Sequence, residues 1–370
     1  MVEDARLSAS TRVRFVLALA ICTLSIAGLT TSEGLPAQSD RPNILLVTLD
    51  TFRADRIGAY GYKGAETPNL DRLAREGVHF TDATSQAPLT APAHAAMMTG
   101  QYPGRLGIRN NGATPIPIET TTLAERLKGA GYRTGAFIGA FVVDRAYGFG
   151  QGFDTFDAAF DGFRQELKGQ VQRPAARVIG PALAWIGDGR GPFFAWVHLY
   201  DAHAPYEAPP PFGTKFKTRP YDGEVAYVDA QVGRMITALR AAGALDRTVV
   251  AVIGDHGEAL GDHGEEDHGI FLYEAVMRIP WIIRLPSSFR MKAETAGPEG
   301  RIMPGQVRSV DLMPTLLELA GAPNGGGLDG VSVAGSLAGD VRSDPPPSYS
   351  ESWYPQLHFG WSRLRALRVG

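Results

Sequence analysis

Carboxylates and imidazoles follow three separate apolar segments of the chain. Asp50 comes directly after the run ILLVTL, and Asp201 and His203 come just after FFAWVHL. Asp255 and His256 follow a third run, TVVAVI, after a single glycine. Carboxylates brought within a few ångströms of one another repel, and a divalent cation removes that repulsion. If the three segments converge, these residue types indicate a metal site rather than a set of solvated loop charges.

The third of these sites lies in a histidine-rich tract, GDHGEALGDHGEEDHG. Three of the eight histidines of the chain, His256, His263 and His268, fall within this one tract. Imidazoles at this density favour metal or oxyanion chemistry. The many carboxylates of the tract are also compatible with a solvated acidic loop, so its histidines need not all belong to a site.

A threonine between prolines opens another segment, PLTAPAHAAMMTG, which runs from Pro88 to Gly100. The small residues that follow Thr90 predict a helix, with the hydroxyl of Thr90 at or near its N-terminus. Unpaired backbone N–H groups and the helix dipole favour an anion at that position. Taken alone, Thr90 is most economically explained as an N-cap.

Strands and helices must alternate along the chain to bring these residues together. Short continuous apolar runs predict strands that are buried on both faces, as in a parallel sheet covered by helices. The predicted strands are Ile44 to Leu49, Thr134 to Val143, Phe193 to Leu199, Thr248 to Ile253 and Ile279 to Leu285. The predicted helices are Pro68 to Gly77, Thr122 to Gly131, Gly223 to Gly243 and Asp311 to Gly321. This order predicts an α/β fold, in which ligands bind beyond the carboxyl ends of the strands.

Composition excludes several other classes of protein. Of the 370 residues, 44% are hydrophobic, and 36 Lys and Arg face 39 Asp and Glu. A disordered chain would be less apolar, and a nucleic-acid-binding chain would be more basic. We therefore expect a globular enzyme with no nucleic-acid partner.

The first 38 residues have the pattern of a secretory signal. Basic residues precede the apolar run from Phe15 to Leu29, which at fifteen residues is shorter than the roughly 20 needed to span a bilayer. Cleavage near Ala37 would place the protein in the periplasm or outside the cell, and an uncleaved N-terminal anchor is the alternative. Cys22 is the only cysteine and lies inside this run. The mature protein would then have no thiol for a disulfide or for catalysis.

Six segments together resemble the sulfatase branch of the alkaline phosphatase superfamily, in the order of the family from about Pro42 to about Leu319. The segments are PNILLVTLDTFRADRIGAYGY, TPNLDRLAREGVHF, PLTAPAHAAMMTGQYP, LKGAGYRTGAF, HLYDAHAPY and GDHGEALGDHG. The resemblance implies an α/β/α sandwich with a mostly parallel central sheet. It also implies a metal site that carries a nucleophile for attack on a sulfate or phosphate ester.

The nucleophile segment departs from the sulfatase pattern. Members of that branch attack with a formylglycine made from the Cys or Ser of a Cys/Ser-x-Pro-x-Arg motif, where this chain has Thr90 and His94. Threonine cannot form that aldehyde, so we expect no formylglycine. The Gly-Lys-x-His of the family corresponds to the range Gly139 to Val142, which lacks both basic residues. The second Asp of the usual Asp-Asp pair is Thr51.

The Thr-x-Pro-x-His motif is similar to the nucleophile segment of nucleotide pyrophosphatase/phosphodiesterases. Metal-dependent phosphoglycerol and phosphoethanolamine transferases of the superfamily also use a threonine. This similarity implies that Asp50, Thr90, Asp255 and His256 hold one divalent ion. Mixed Asp and His ligands suit Zn or Mn better than Ca.

The resemblance also suggests roles for other residues. His203 corresponds to the substrate-binding or leaving-group histidine of the family, and His268 does similar work or joins Asp201 and His203 in a second metal site. Asn111, or equally its neighbour Asn110, is the substrate-binding asparagine. We expect His94 to bind substrate or to support the metal ligands. The remaining histidines outside the tract, His79, His198 and His358, are predicted to be structural.

These inferences predict an exported, metal-dependent hydrolase of phosphate esters, most simply diesters, that attacks through Thr90. The alternatives are a sulfuric ester hydrolase that works without formylglycine, and an inactive ester- or glycan-binding protein of the same fold. The expected substrate is a small-molecule, glycan-linked or lipid-linked ester. A membrane would be involved only through an uncleaved N-terminus. The predicted domains are a leader at 1–38, a catalytic domain at 40–323, a Gly/Pro-rich connection at 324–347 and the start of a C-terminal subdomain at 348–370.

Overall fold

The structure is a computed structural model that describes residues 41–160, 173–290, 300–338 and 344–369. The strands are β1 (Asn43–Leu49), β2 (Val78–Thr84), β3 (Arg133–Ile138), β4 (Thr155–Asp157), β5 (Phe193–Leu199), β6 (Thr248–Gly254), β7 (Arg278–Arg284), β8 (Arg301–Arg308), β9 (Ser348–Ser352) and β10 (Leu364–Arg368). The helices are α1 (Pro68–Glu76), α2 (Thr90–Thr99), α3 (Pro103–Leu106), α4 (Leu123–Gly129), α5 (Ala175–Asp188), α6 (Phe212–Lys215), α7 (Pro220–Ala241), α8 (Glu274–Met277), α9 (Ser287–Arg290), α10 (Leu312–Leu319), α11 (Ala334–Ala338) and α12 (Tyr354–Phe359). The predicted leader, with Cys22, lies outside the described residues. Within the ranges just given, no helix has both the length and the apolar character needed to cross a membrane.

Eight strands form one central sheet in the order β4-β3-β5-β1-β6-β7-β2-β8. In this order the first five strands, β4, β3, β5, β1 and β6, pair in parallel. β7 is antiparallel to both of its neighbours, β6 and β2. β1 therefore lies between β5 and β6, and the carboxyl ends of these three strands meet at one edge. The predicted α/β fold with a mostly parallel sheet is confirmed.

Helices cover both faces of the sheet. Along β1, Ile44 and Leu46 pack on one side with apolar residues of α2, α4 and α10, while Leu45 and Val47 pack on the other with α1, α5 and α7. Alternate side chains of a strand point to opposite faces, so a continuous apolar run supplies both layers. The result is an α/β/α sandwich in which both faces of the central strands are buried.

Some elements differ from their sequence-based predictions. The predicted strand over Thr134 to Val143 ends at Ile138, and a short 3-10 turn occupies Phe141–Val143. A Cβ at Gly139 would lie only 3.0 Å from the backbone of His198 and Tyr200, so this glycine allows the chain to pass close to β5. Neither β2 nor β8 was predicted, because neither contains a continuous apolar run.

The C-terminal strands form a separate antiparallel pair, β9 with β10. Hydrogen bonds join β9 to the segment before α2: Ser350 Oγ donates to the carbonyl of Ser85 at 2.7 Å. The next residue, Gln86, is completely buried and accepts a 2.7 Å hydrogen bond from Ser309 Oγ at its Oε1. The hydroxyl of Ser85 lies 2.5 Å from the carbonyl oxygen of Asp255. The C-terminal pair is therefore connected to two segments that bear predicted site residues.

Candidate active site and metal centre

Two neighbouring strands deliver the acidic residues of the site. Asp50 follows β1 and Asp255 follows β6, and the backbone N–H of Asp255 donates to the carbonyl of Leu49 at 3.1 Å. Each of Asp50, Asp255 and His256 offers one ligand atom, and these three atoms lie within 4.8 Å of one another. All three residues are completely buried. The structure thus brings together the three predicted side-chain metal ligands other than Thr90.

Thr90 is the first residue of α2 and faces this group. Its Oγ1 lies 3.5 Å from Oδ1 of Asp50 and 3.4 Å from Nε2 of His256. Its side chain is nearly buried, and the backbone N–H groups at the start of α2 are close by. The hydroxyl therefore lies beside both the carboxylate group and a helix N-terminus, as the sequence predicts.

The charges of the two acids are only partly compensated by the protein. Oδ1 of Asp255 accepts hydrogen bonds from the backbone N–H groups of His256 (2.7 Å) and Thr51 (3.2 Å). Oδ2 of Asp255 and Oδ2 of Asp50 have no hydrogen-bond partner among the described residues. Burial and the charge of Asp50 raise the pKa of Asp255 well above its usual value. Orphaned buried carboxylate oxygens of this kind fit a bound divalent cation.

The orientation of His256 also suits a metal ligand. Its Nδ1 lies 2.9 Å from the carbonyl oxygen of Gly257, which can only accept, so Nδ1 carries the hydrogen. Burial, followed by the neighbouring His268, keeps the pKa of His256 well below its usual value. The neutral ring then presents the lone pair of Nε2 to the two acids, and a backbone hydrogen bond on the other nitrogen is typical of histidine ligands.

A buried threonine inside β1 supports the site from below. Oγ1 of Thr48 lies 3.0 Å from Nε2 of His94, 3.2 Å from Nδ1 of His198 and 3.0 Å from Nε1 of Trp196. Nδ1 of His94 lies 2.9 Å from the carbonyl oxygen of Thr90. Both nitrogens of His94 therefore face protein groups, and burial lowers the pKa of its completely buried ring to about 3. His94 lies beneath the nucleophile segment rather than in the open cavity.

A cavity of about 510 Å³ opens beside Thr90 and is lined by His203 and His268. The centroids of the two rings are 5.1 Å apart, and that of His268 is 4.5 Å from His256. Burial lowers the pKa of His203. Burial also acts to lower the pKa of His268, but a 3.0 Å hydrogen bond to buried Glu258 and the charges of Glu258, Asp50 and Asp267 together raise it. Both predicted catalytic histidines therefore line the cavity next to Thr90.

Asn111 lines the same cavity and contacts the start of α2. Its Oδ1 accepts a 2.8 Å hydrogen bond from the backbone N–H of Ala91. Asn110 lies outside the cavity lining, where its Oδ1 accepts from the N–H of Asn111 and its Nδ2 donates to Nε2 of His358. The structure therefore separates two asparagines that the sequence could not.

Asp201 has a different environment from the other acids. Its Oδ2 accepts a 2.6 Å hydrogen bond from the backbone N–H of Ala175 at the start of α5, and burial raises its pKa to about 6. Among the residues that the structure describes, only Asp50, Asp255 and His256 form a group that could hold a metal ion. The alternative of a second metal site built on Asp201 and His203 thus receives no support from the geometry.

The loop that carries His203 is held from both sides. Ala202 has a positive φ of 84°, which is strained for a residue with a side chain, and its carbonyl accepts a 2.7 Å hydrogen bond from Oγ1 of Thr51. Glu224 of α7 faces the backbone of Ala202 and Glu207, and its buried Oε2 has no hydrogen-bond partner among the described residues. Burial, then the charge of Asp201, raises the pKa of Glu224 to about 8.

Sequence reasoning missed His198 as a member of this site. We predicted a structural histidine, yet its Nε2 lies 3.5 Å from Oδ2 of Asp50 and has no hydrogen-bond partner among the described residues. Both His198 and Thr48 are polar residues inside otherwise apolar, buried strands. That break in the pattern was the available signal, because a buried polar group needs a partner.

Comparison with known proteins agrees with this architecture. The family model "Sulfatase" matches residues 42–322, which is most of the chain. The chain belongs to the sulfatase family. Structurally, this sulfatase-family protein is similar to the phosphonate monoester hydrolase of Agrobacterium radiobacter, with a TM-score of 0.74 and 20% identity over 89% of this chain and 86% of that one. At that identity the likeness supports the fold, and the alkaline phosphatase-like sandwich is confirmed.

Curated sulfatases extend beyond this chain. Mouse steryl-sulfatase is 26% identical over 81% of this chain and 66% of its own length, and human arylsulfatase A is 28% identical over 89% and 73%. The chain therefore spans about two thirds to three quarters of these two relatives. The family match and the relatives named as sulfatases place it among ester hydrolases, and two solved structures of similar fold are named as phosphonate monoester hydrolases.

Proposed function

We propose that this sulfatase-family protein is an exported, metal-dependent hydrolase of phosphate esters, most simply diesters, with Thr90 as nucleophile. The observation that carries the proposal is the position of Thr90 Oγ1, 3.5 Å from Asp50 Oδ1 and 3.4 Å from His256 Nε2. A hydroxyl beside three metal-ligand atoms at a helix N-terminus is arranged for attack on an anionic ester.

The ligands of the ion are Asp50, Asp255, His256 and Thr90. A divalent ion bound there, Zn or Mn, lowers the pKa of the threonine hydroxyl and offsets charge on the ester oxygens. At the start of α2 the N–H of Ala91 donates to Asn111 and that of Ala93 to the carbonyl of Leu89, so the helix favours the anionic ester through its dipole. Formylglycine has no part in this proposal, because the attacking position is a threonine.

The reaction proceeds in two displacements. Thr90 Oγ1 gives up its proton and forms a bond to phosphorus as the bond to the leaving alkoxide breaks, and the alkoxide takes a proton. Water then attacks the phosphothreonine and regenerates the hydroxyl. His203 and His268 line the cavity and are placed to contact the ester and leaving-group oxygens. In this proposal His94 positions the Thr90 segment rather than touching the substrate.

The test compares Thr90→Ala and Thr90→Ser on an aryl phosphodiester and the matched aryl sulfate, with Mn or Zn supplied. We expect Thr90→Ala to lose at least about 10³-fold in kcat/KM and Thr90→Ser to remain within about tenfold. Thr99→Ala, at the far end of α2, is the matched control and keeps its activity. Rapid quenching and mass spectrometry should find phosphate on the peptide that contains Thr90. Full activity of Thr90→Ala would refute the nucleophile.

A sulfuric ester hydrolase is the second candidate, because the curated relatives are sulfatases. It would use the same residues, and its signature is a higher kcat/KM on the aryl sulfate than on the phosphodiester. The third candidate is an inactive protein that binds esters or glycans. Purified protein without a tightly bound divalent ion, and without turnover of either ester after Mn or Zn is added, would favour that role.

A further inference from the structure

The cavity beside Thr90 is lined by aromatic rings and one carboxylate. Phe141, Tyr147, Tyr200 and Tyr354 line it, and Asp267 is its acidic residue. No Lys or Arg belongs to this lining within the part of the chain that the structure describes. Apart from His203 and His268, the cavity therefore offers π faces and one negative charge to whatever is attached to the ester.

The aromatic side is built where other sulfatases have basic residues. Ala140, Phe141 and Val142 stand at the last three positions of the Gly-Lys-x-His motif and line the cavity. Phe141 and Tyr147 form an edge-to-face pair with centroids 5.6 Å apart and an interplanar angle of 87°. Both are only partly buried, so each leaves part of its ring open to a ligand. Neither ring can pair with an additional anionic group.

The carboxylate of Asp267 is exposed and lines the cavity. It lies next to His268 in sequence, and its charge contributes to the raised pKa of that histidine. An exposed carboxylate there repels an ester with two negative charges and attracts a ligand that also carries a positive charge.

We propose that the cavity accepts esters whose alcohol carries an alkylammonium group, as choline does. The ammonium group lies against the rings of Phe141 and Tyr147 and near Asp267, while the ester group faces Thr90. Aromatic faces with a neighbouring carboxylate are the usual recognition chemistry for quaternary ammonium ions. A neutral apolar alcohol would use the rings but leave Asp267 unpaired. This inference rests on the proposed function for the chemistry of the ester.

The experiment uses two diesters that differ at one atom, 4-nitrophenyl phosphorylcholine and 4-nitrophenyl 3,3-dimethylbutyl phosphate, in which carbon replaces the charged nitrogen. We expect kcat/KM to be about tenfold or more higher for the choline ester. Asp267→Asn and Phe141→Leu should each bring the ratio of the two values towards one. Glu266→Gln removes the same charge from the adjacent residue, which does not line the cavity, and should keep the ratio of the wild type.

A ratio near or below one in the wild-type protein would overturn the proposal. So would a wild-type ratio that persists in both Asp267→Asn and Phe141→Leu. Faster hydrolysis of a matched 4-nitrophenyl glucose-6-yl phosphate than of the choline ester would overturn it in favour of a glycan substrate.

If neither diester is hydrolysed, the proposed function fails and the cavity is tested by binding alone. Isothermal titration calorimetry of the Mn-loaded protein with choline and with 3,3-dimethylbutanol tests the alkylammonium site independently of the proposed hydrolysis. Binding of choline that is at least about tenfold tighter than that of the neutral alcohol, and weaker in Asp267→Asn, supports the cation site. Equal affinities, or no binding of choline, would overturn it.

Discussion

Nε2 of His198 lies 3.5 Å from Oδ2 of Asp50, and both side chains are completely buried. The opposite nitrogen of the His198 ring contacts Thr48 Oγ1 at 3.2 Å, which fixes the plane of the ring. The two oxygens of Asp50 are thereby divided, with Oδ2 towards His198 and Oδ1 towards Thr90 at 3.5 Å. His198 is therefore arranged to orient the carboxylate that the metal centre needs.

Replacing His198 should weaken both the metal site and the fold. We expect His198→Ala to reduce the affinity for Mn or Zn by about tenfold or more, as for other residues that orient metal ligands. Loss of the completely buried ring and of its 3.2 Å contact to Thr48 Oγ1 should cost about 1–3 kcal/mol in the free energy of unfolding. His198→Gln, whose amide can donate to Asp50, should recover part of both losses. Competition with a chelator measures the affinity for the metal, and denaturant titration measures the free energy of unfolding.

The control for that experiment is His263→Ala. His263 is exposed and stacks on Tyr273, so its loss should change the free energy of unfolding by less than about 0.5 kcal/mol. Equal metal affinity in His198→Ala and the wild type would show that His198 does not orient Asp50.

Asp255→Asn should have opposite effects on the metal-free and metal-loaded proteins. Asparagine keeps the oxygen that accepts from the N–H groups of Thr51 and His256, but it removes a buried charge that lies close to Asp50. Without metal the variant should unfold at a higher temperature than the wild type, because it lacks the carboxyl group whose ionised form is destabilised by burial and by the charge of Asp50. With Mn or Zn it should lack most of the stabilisation that the wild type gains. Thermal unfolding with and without each ion measures both effects. If the ion stabilises the variant as strongly as it stabilises the wild type, Asp255 is not a ligand.

Asn111 and Asn110 should respond differently to the same substitution. Asn111→Ala leaves the N–H of Ala91 without its partner at the start of α2, next to Thr90. We expect a loss of about 1 kcal/mol in stability and a fall in kcat of about tenfold or more. Asn110→Ala, which loses only a contact to exposed His358, should keep kcat within about twofold. Steady-state kinetics decide, and equal losses in the two variants would place neither residue at the substrate.

Glu224 should make the protein less stable as the pH rises. Burial, then the charge of Asp201, raises its pKa from 4.5 to about 8, so the folded state holds a proton that the unfolded chain releases between these values. Stability from this group is complete below pH 4.5 and falls as the pH rises towards 8. Asp201, with a pKa of about 6, acts in the same direction. Glu224→Gln should therefore gain about 1 kcal/mol or more over the wild type between pH 5 and pH 9.

Denaturant titrations from pH 5 to pH 9 test this prediction. The matched control is Glu119→Gln, since Glu119 is exposed and its charge does not contribute to the raised pKa of Glu224. Parallel pH profiles for Glu224→Gln and the wild type would refute the role of Glu224.

The sheet and the ligand group were predictable because both follow from a single rule. Buried apolar runs become parallel strands, and parallel strands end at the same edge, so Asp50 and Asp255 had to be neighbours once β1 and β6 paired. Thr90 could be placed at a helix N-terminus from its prolines and small residues. That Thr90 faces the acids follows only from the packing of α2 on the sheet.

Other parts of the site depend on contacts that no local pattern encodes. His198 and Thr48 meet only because β5 and β1 pair in register, with Thr48 opposite His198. Tyr354 reaches the cavity from the C-terminal region, far from Thr90 in sequence. Asn110 and Asn111 are chemically identical, and only the backbone between them determines which one faces the helix.

The hydrogen bond from Ser350 Oγ to the carbonyl of Ser85 connects β9 to the segment that carries Thr90. Only four residues separate Ser85 from Thr90, and all of them are buried, so this short stretch has little slack. The same Ser85 is anchored against Asp255. Deletion of β9 and β10 would therefore displace Thr90 and Asp255 together, before the central sheet unfolds. The β9–β10 pair therefore supports a site whose other residues lie hundreds of positions earlier in the sequence.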